Sequence, residues 1–538
     1  MKTLQNYLKI AFEKYCFNPA LEVAGNKLTY SALYKKSQQI AQAVERHASS
    51  EEYIGIFASR SVAAYSGISG VLLAGKAYLP INPKFPPDRI FEIIKIAECK
   101  CIVLGPGCLE TFGTFLDKYF EVLDLTIIYL PENEEQVLNS TEKIKDHKLV
   151  NSAQFATIQN KLKESTPNDY AYLLFTSGST GVPKGIAITH SNICSYMNYI
   201  LSNYDYRNTD RISQAFDLTF DPSVHDIFSA WLSGACLCVL PASIIFAPAR
   251  FIQDEKLTVW YSVPSVPMFM DKLNMLKDNI FPNLRYSIFS GEALTQAIAQ
   301  RWQDSAPNSL LVNFYGPTEV TINITFYHWD KHLSPKQCQN GAVPLGNLFP
   351  EHEVRIINSN EDILSPGKKG ELIISGPQVA PGYIKNEQKT SSMFKTLTCE
   401  KDKKWYFTGD IVEIDKETGL LYYFGRKDFQ VQILGHRVEL AEIEAVIQKA
   451  ISIQFVTVLP WPINAQNGRA DKIIAVLGCA NDSEILKKVF MICKNSLPPY
   501  MVPSKIFFLE EFPLNINGKI DRKKLANFVT MQMNYYGE

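Results

Sequence analysis

The sequence predicts an α/β fold in which a large N-terminal lobe of β-sheets and helices precedes a small α+β domain. Short apolar runs alternate with helical patterns from Leu28 onward, which is typical of α/β proteins. Three later runs, 258–265, 285–291 and 310–319, end in Gly, Pro or polar residues, as strands do at the carboxyl edge of a parallel sheet. Beyond residue 428 the composition changes, and about 110 residues remain for the second domain.

The first elements follow from hydrophobic periodicity. Leu28–Tyr30 predicts a strand, and the helical spacing of apolar residues after it continues to Val44. Val71–Pro83 changes from a helical pattern to a strand pattern, and we interpret it as ordinary core.

A loop rich in Thr, Ser and Gly separates two apolar runs within the stretch LLFTSGSTGVPKGIAITH, which begins at Leu173. Small residues let backbone N–H groups approach a ligand closely, hydroxyls add donors, and Lys184 adds charge, so the loop suits polyphosphate. It differs from the GxxxxGK[ST] loop because Gly185 follows the lysine and no helix pattern begins there. A merely flexible surface loop is disfavoured because two apolar runs flank it. The pattern predicts strand, loop and strand.

Asp221 lies in the segment AFDLTFDPSVHDIF, which begins at Ala215. Pro222 ends a strand at the point where this carboxylate could face a cavity. The alternative is that Asp221 caps the following helix, a role that aspartate often fills. Propensity alone does not decide between the two.

The segment YGPTE places three useful side chains at the carboxyl edge of the predicted sheet. Tyr315 offers a flat surface to a purine ring, Thr318 offers a hydroxyl to phosphate, and Glu319 offers a carboxylate oxygen to Mg²⁺. Taken alone, Gly-Pro also suits a tight turn.

Asp410 ends the aromatic segment YFTGD, where its two carboxylate oxygens could bridge the vicinal hydroxyls of a ribose. A free aspartate in a turn is the less favoured alternative. The tetrad Gly425–Asp428 precedes the second domain. Lys519, in NGKIDRKKL, is on frequency alone one more solvated lysine. The elements predicted for the second domain are a β-rich segment over Phe429–Glu439, a helix over Leu440–Lys449, two strands within Phe455–Gly478, a helix over Ser483–Ser496, a strand over Ile506–Leu509 and a loop over Pro513–Asp521.

Composition limits the partners. The 54 basic and 55 acidic residues give a net charge of −1, so no charged surface for nucleic acid or anionic membrane is expected. Eleven cysteines without a CxxC pair predict reduced thiols. The N-terminus lacks a signal peptide's apolar core, and no apolar run reaches the roughly 20 residues of a membrane span. We therefore expect a cytoplasmic protein with no nucleic-acid partner and no membrane span.

Together these motifs resemble those of the adenylate-forming superfamily, which comprises acyl-CoA synthetases, luciferases and the adenylation domains of nonribosomal peptide synthetases. The resemblance covers Leu28 to Lys524 and is strongest to free-standing amino-acid-activating enzymes such as D-alanine–carrier protein ligase and prolyl-carrier protein ligases. It implies an ATP- and amino-acid-binding domain over 1–427 and a mobile domain over 428–538, with Asp428 as the hinge.

The resemblance also implies roles for individual residues. Lys519, Lys184 and Glu319 are the implied catalytic residues; Glu319 and Thr180 are the implied Mg²⁺ ligands, and Gly435 lines the path of a thiol. Gln432 and Leu434 depart from the usual lysine and arginine. The implied ATP and AMP contacts are Thr176, Ser177, Gly178, Ser179, Thr180, Gly181, Lys184, Asn313, Tyr315, Gly316, Thr318, Asp410, Arg426 and Lys519. The implied amino-acid contacts are Asp221, Pro222, His225, Tyr261, Ile288, Ser290, Phe314, Ile322 and Asn323.

The activity implied is ATP-dependent formation of an aminoacyl-AMP with release of pyrophosphate, followed by transfer to the phosphopantetheine thiol of a separate carrier protein. Asp221 matches the aspartate that pairs with the α-ammonium in amino-acid-activating members. Bulky Tyr261, His225 and Phe314 predict a small substrate such as alanine, glycine, serine or proline. ATP and Mg²⁺ are the expected cofactors, and because only residues 525–538 follow the matching segment we expect the carrier domain to belong to a separate protein. An acyl- or aryl-CoA ligase and an inactive scaffolding relative remain alternatives.

Overall fold

The computed structural model describes residues 2–119, 122–130, 148–155, 162–178, 182–245, 247–428, 430–451, 453, 455–462, 469–513 and 520–535. Its helices are α1 Leu4–Lys14, α2 Tyr30–His47, α3 Val62–Leu73, α4 Pro87–Ala97, α5 Leu109–Tyr119, α6 His190–Asn203, α7 Pro222–Ser233, α8 Ala249–Asp254, α9 Ser265–Lys272, α10 Gln296–Ser305, α11 Ser334–Gln337, α12 Glu387–Met393, α13 Leu440–Ile451, α14 Ser483–Ser496 and α15 Arg522–Tyr535.

The strands are β1 Pro19–Val23, β2 Asn26–Thr29, β3 Tyr53–Phe57, β4 Ala77–Ile81, β5 Cys101–Leu104, β6 Thr126–Tyr129, β7 Lys148–Asn151, β8 Tyr170–Thr176, β9 Lys184–Thr189, β10 Arg211–Gln214, β11 Cys236–Val239, β12 Val259–Ser262, β13 Tyr286–Phe289, β14 Leu310–Tyr315, β15 Thr325–His328, β16 Asn347–Leu348, β17 Glu353–Ile357, β18 Gly370–Ser375, β19 Phe394–Leu397, β20 Glu400–Ile414, β21 Leu421–Arg426, β22 Gln430–Ile433, β23 His436–Glu439, β24 Val456–Trp461, β25 Arg469–Ala470, β26 Lys472–Leu477 and β27 Lys505–Phe508.

Two large sheets form the N-terminal part. One has nine strands in the order β16-β15-β14-β13-β12-β10-β11-β1-β2, and its strands from β14 to β1 are parallel. The other has seven strands in the order β7-β6-β5-β3-β4-β8-β9, with only β8 and β9 antiparallel among its described pairs. The largest hydrophobic core contains side chains from both sheets and from α2, α3, α6 and α7. The predicted α/β architecture is confirmed.

Helix α2 shows how the sequence produces such an element. Thr29 Oγ1 accepts a hydrogen bond from the Ala32 backbone, which satisfies one of the donors at the helix start. Leu33, Ile40 and Val44 then repeat at helical spacing and are fully buried.

The antiparallel third sheet, β17-β18-β20-β19 with β21 on β20, carries the YFTGD segment. Asp410 was expected at the end of a strand but lies inside β20, opposite Arg426 of β21. Cross-strand pairing therefore supplies its neighbour, which the local sequence did not indicate.

The C-terminal region, residues 428–538, contains two three-stranded sheets, β23-β22-β25 and β24-β26-β27. Helix α14 has the bounds predicted from the sequence. Two hydrophobic clusters of this region consist only of its own residues. The domain boundary at 427/428 stays a prediction.

No helix among the described residues is both long and apolar enough to cross a membrane. All eleven cysteines lie within the described ranges, and none of them is in a disulfide.

Candidate active site

A cavity of about 630 Å³ opens at the carboxyl edge of the nine-stranded sheet, against the C-terminal region. The ends of β12, β13 and β14 contribute to its wall, as the position of polar residues after these strands predicted. The cavity brings together these predicted residues: Thr176, Ser177, Asp221, Pro222, Ser290, Asn313, Phe314, Tyr315, Gly316, Thr318, Ile322, Asn323, Asp410, Arg426 and Gly435. Ser179, Thr180, Gly181 and Lys519 lie outside the described residues.

Asp221 directly precedes α7 but makes no side-chain capping hydrogen bond to the described helix. Its Oδ2 atom is shielded from solvent and has no hydrogen-bond partner among the described residues. Burial raises the pKa of Asp221 to about 7, and a hydrogen bond from Thr318 offsets part of that effect. The geometry thus disfavours the capping role, and Asp221 has no ion pair among the described residues, although the charge of Arg437 has a small lowering effect on its pKa.

Three of the residues predicted to contact the amino acid do not reach the cavity. Of the residues predicted to line it, His225, Tyr261 and Ile288 are fully buried and lie outside the described cavity wall. Tyr261 Oη lies 2.5 Å from Ser290 Oγ and accepts from Asn323 Nδ2 at 3.1 Å. Hydrogen bonds hold the side chains of Tyr261 and His225 behind the wall, and Ser290 and Asn323 face the cavity.

On the nucleotide side, Tyr315 donates from its hydroxyl to Asp410 Oδ2 at 2.5 Å. Arg426 Nη1 donates to the other carboxylate oxygen of Asp410 at 2.6 Å. The same guanidinium donates through Nε and Nη2 to Asp428, at 2.7 and 2.8 Å. Arg426 therefore connects the predicted ribose contact to the predicted hinge.

The described part of the predicted phosphate loop makes hydrogen bonds and an ion pair to the C-terminal region. Ser177 Oγ donates to the Arg437 carbonyl at 2.9 Å, and the Gly178 amide donates to Glu442 Oε2 at 2.9 Å. Lys184 Nζ lies 2.9 Å from Glu439 Oε1, with side chains 8% and 10% exposed. A Cβ atom on Gly178 would lie 1.9 Å from the Val182 carbonyl oxygen, so this turn requires glycine.

Glu319 is a buried carboxylate beside this loop. Its Oε1 accepts from Tyr383 Oη at 2.8 Å, and its Oε2 accepts from Arg437 Nη1 at 3.1 Å. Burial alone would raise the pKa of Glu319, but Arg437 and Lys184 hold it below its ordinary value. The group is an ionised, hard oxygen donor, which fits a Mg²⁺ ligand.

Gly435 makes the close contact between the C-terminal region and the nine-stranded sheet. Its amide donates to Glu292 Oε1 at 2.7 Å, and its φ of +83° lies in the left-handed region. An added Cβ would lie 2.5 Å from Val263 Cγ1. Gln432 and Leu434 line the cavity beside it.

The structure adds site residues that the sequence reasoning missed. Arg437, Glu439 and Glu442 come from one segment, GHRVELAEIE, in which charged residues alternate with apolar ones. Charged side chains buried next to apolar positions are unusual unless they are paired, and that pattern was the available signal. Their partners, including Arg89 on α4, are too far away in sequence to have been identified.

Comparisons with known proteins identify the family of this chain. A family model described as AMP-binding enzyme matches residues 8–384. The D-alanine--D-alanyl carrier protein ligase of Listeria innocua is 31% identical over 527 residues, which span 95% of this chain and 96% of that ligase. Tyrocidine synthase 3 of Brevibacillus parabrevis is 30% identical over 506 residues, which span 93% of this chain but 7% of that synthase.

Among solved structures, the Vibrio cholerae adenylation domain AlmE in complex with glycyl-adenosine-5'-phosphate has a TM-score of 0.85 to this chain. It is 30% identical, and the superposition covers 99% of this chain and 98% of that one. The resemblance inferred from the motifs is confirmed.

Proposed function

The chain belongs to the AMP-binding enzyme family, and on this basis we propose that it activates a small amino acid with ATP and transfers it to the phosphopantetheine thiol of a separate carrier protein. The observation that supports this most directly is Asp221, a shielded carboxylate on the cavity wall with one oxygen lacking a described partner. An α-ammonium group supplies the missing charge, whereas a fatty or aromatic acid does not.

The first half-reaction forms an acyl phosphate anhydride. The substrate carboxylate oxygen bonds to the α-phosphorus of ATP, and the bond from that phosphorus to the bridging oxygen breaks, so that pyrophosphate leaves. Residues 1–427 would bind both substrates, with Lys184 and the Thr176–Gly181 loop at the leaving group and Lys519 at the reacting centre. Positioning and charge neutralisation lower the barrier of such a transfer.

The nucleoside would lie against Tyr315, with its ribose on the Asp410 and Arg426 pair. Glu319 and Thr180 would hold Mg²⁺, and the ionised, buried state of Glu319 supports its part of that assignment. When bound, Mg²⁺ neutralises charge on the phosphates.

In the second half-reaction, a thiol attacks the carbonyl carbon, a thioester forms, AMP leaves and the thiol proton is released. We infer that residues 428–538 turn about Asp428 between the two halves and that Gly435 lines the thiol's path. Two contacts support this rotation: Glu439 pairs with Lys184, and Glu442 accepts from the Gly178 amide. Lys184 and Gly178 are assigned to the leaving phosphates, so these contacts would have to break when ATP binds.

The direct test is ATP–pyrophosphate exchange with each of the twenty amino acids, both alanine enantiomers, and fatty and aromatic acids. We expect a small amino acid to give the fastest exchange. Faster exchange with a fatty or aromatic acid than with every amino acid would contradict the proposal and favour a CoA ligase.

The pH dependence of amino-acid binding provides a second test. Only ionised Asp221 pairs with an ammonium group, and its pKa of about 7 places the transition near neutrality. We expect the KM for the amino acid to rise about tenfold between pH 8 and pH 6 as Asp221 becomes protonated. A KM that stays flat over this range would contradict the assignment.

Gly435 offers a test of the second half-reaction. We expect Gly435→Val to slow transfer to a carrier protein at least about tenfold, because the new side chain collides with Val263 in the arrangement described. ATP–pyrophosphate exchange should stay within about threefold of wild type, since Gly435 has no assigned part in the first half. The test is to measure the rates of adenylation and of thiol transfer separately. An equal loss of rate in both half-reactions would contradict the assignment of Gly435 to the thiol's path.

A further inference from the structure

A buried hydrogen-bond network lies directly behind the amino-acid end of the cavity. Asn323 Nδ2 donates to Tyr196 Oη at 3.2 Å and to Tyr261 Oη at 3.1 Å. Tyr196 Oη lies 2.7 Å from His225 Nδ1, and Tyr206 Oη lies 3.3 Å from His225 Nε2. Tyr196 is on α6, and neither it nor Tyr206 belongs to the described cavity wall.

The network gives hydrogen-bond partners to the hydroxyls of Tyr196 and Tyr261 and to both ring nitrogens of His225. Asn323 directs its amide hydrogens at the two tyrosyl oxygens, while the Tyr196 hydroxyl also bonds His225 and the Tyr261 hydroxyl also bonds Ser290. Burial lowers the pKa of His225 to about 3, so its ring is neutral and has one acceptor and one donor nitrogen. One ring nitrogen therefore accepts from a tyrosine hydroxyl and the other donates to one, so both tyrosines bond the ring.

His225 supports two rings at the inner end of the site. Its ring centroid lies 5.0 Å from that of Tyr261, in an edge-to-face arrangement, and 6.3 Å from that of Phe314, which is on the wall. A buried ring fixed at both nitrogens cannot turn without breaking a hydrogen bond. The position of the wall therefore depends on the two tyrosines that hold His225.

We propose that Tyr196 and Tyr206 are positioning residues that set the preference for a small side chain: both hold His225 behind the cavity wall, and Tyr196 also holds Asn323 on it. This inference rests on the proposed function and adds residues that contact no substrate. The network excludes amino acids with larger side chains, because such side chains would fit only if His225 or Tyr261 moved. Loss of a tyrosine hydroxyl removes the restraint and keeps the ring volume.

The experiment uses the full chain with Tyr196→Phe and, independently, Tyr206→Phe. In ATP–pyrophosphate exchange, kcat/KM is measured for glycine, alanine, serine, valine and leucine. We expect Tyr196→Phe to reduce the preference for the best small amino acid over valine by about tenfold, mainly through KM. Tyr206→Phe should act in the same direction but less strongly, since its bond to His225 is longer.

Tyr204→Phe is the matched control. Tyr204 is also buried and also bonds a histidine, with its Oη 3.2 Å from His328 Nε2, but it has no described bond to Asn323 or His225. The Tyr204→Phe variant should lose about as much thermal stability as the two test variants. Its ratio of kcat/KM for the best small amino acid to kcat/KM for valine should stay unchanged. An unchanged ratio in both test variants, or an equal change in Tyr204→Phe, would overturn the inference. Absence of exchange with every amino acid in the wild type would overturn the proposed function as well.

Discussion

We expect Asp221→Asn to lower kcat/KM for the amino acid in ATP–pyrophosphate exchange by about a thousandfold. The substitution keeps the shape of the side chain but removes the charge that would face the substrate ammonium. Leaving one partner of a buried ion pair uncompensated costs about 3–5 kcal/mol. At about 1.4 kcal/mol for each factor of ten, this corresponds to roughly 10²–10⁴.

Asp226→Asn is the matched control for that variant. Asp226 is on the same helix and fully buried, but it lies outside the described cavity wall. An amide of the same shape should therefore leave exchange within about threefold of wild type. Steady-state exchange measurements on both variants test the contrast. Near-wild-type exchange in Asp221→Asn would refute the ammonium site.

Lys184→Met is expected to slow exchange at least about a hundredfold, which is the usual cost of removing one donor that stabilises a transition state. The structure adds a second effect, because Lys184 is also the ion partner of Glu439. Among the described residues, that buried carboxylate would then keep a single side-chain hydrogen bond, from Gln430. Transfer from supplied aminoacyl-AMP to a carrier should therefore also slow, by about tenfold, in single-turnover assays.

Two substitutions in the C-terminal region separate these effects. Glu439→Gln removes the charge that pairs with Lys184, so it should slow transfer while leaving exchange unchanged. Glu444→Gln removes a charge that pairs with Arg522 within the same region, and it should change neither half-reaction much. If Lys184→Met slowed both halves equally, its role at the leaving pyrophosphate would be wrong. If it left transfer untouched, the pair with Glu439 would have no function in catalysis.

Much of the fold followed from local patterns. The strand, loop and strand around Lys184 and the end of β14 at Tyr315 could be predicted, because periodicity and turn residues act over a few positions. The position of Asp410 within a strand could not be predicted, because it depends on the pairing of β20 with β21. His225 was predicted on the cavity wall, but hydrogen bonds to two distant tyrosines hold it behind that wall.

The sequence by itself determined which chemistry the chain carries: a phosphate loop with one lysine, a carboxylate before a proline, and the YGPTE segment. Only the tertiary structure decided what these groups contact. Lys184 meets Glu439 across 255 positions, and Gly178 meets Glu442 across 264. The physical reason is that propensity acts between near neighbours, whereas a buried charge or amide takes whichever partner the packed fold places beside it.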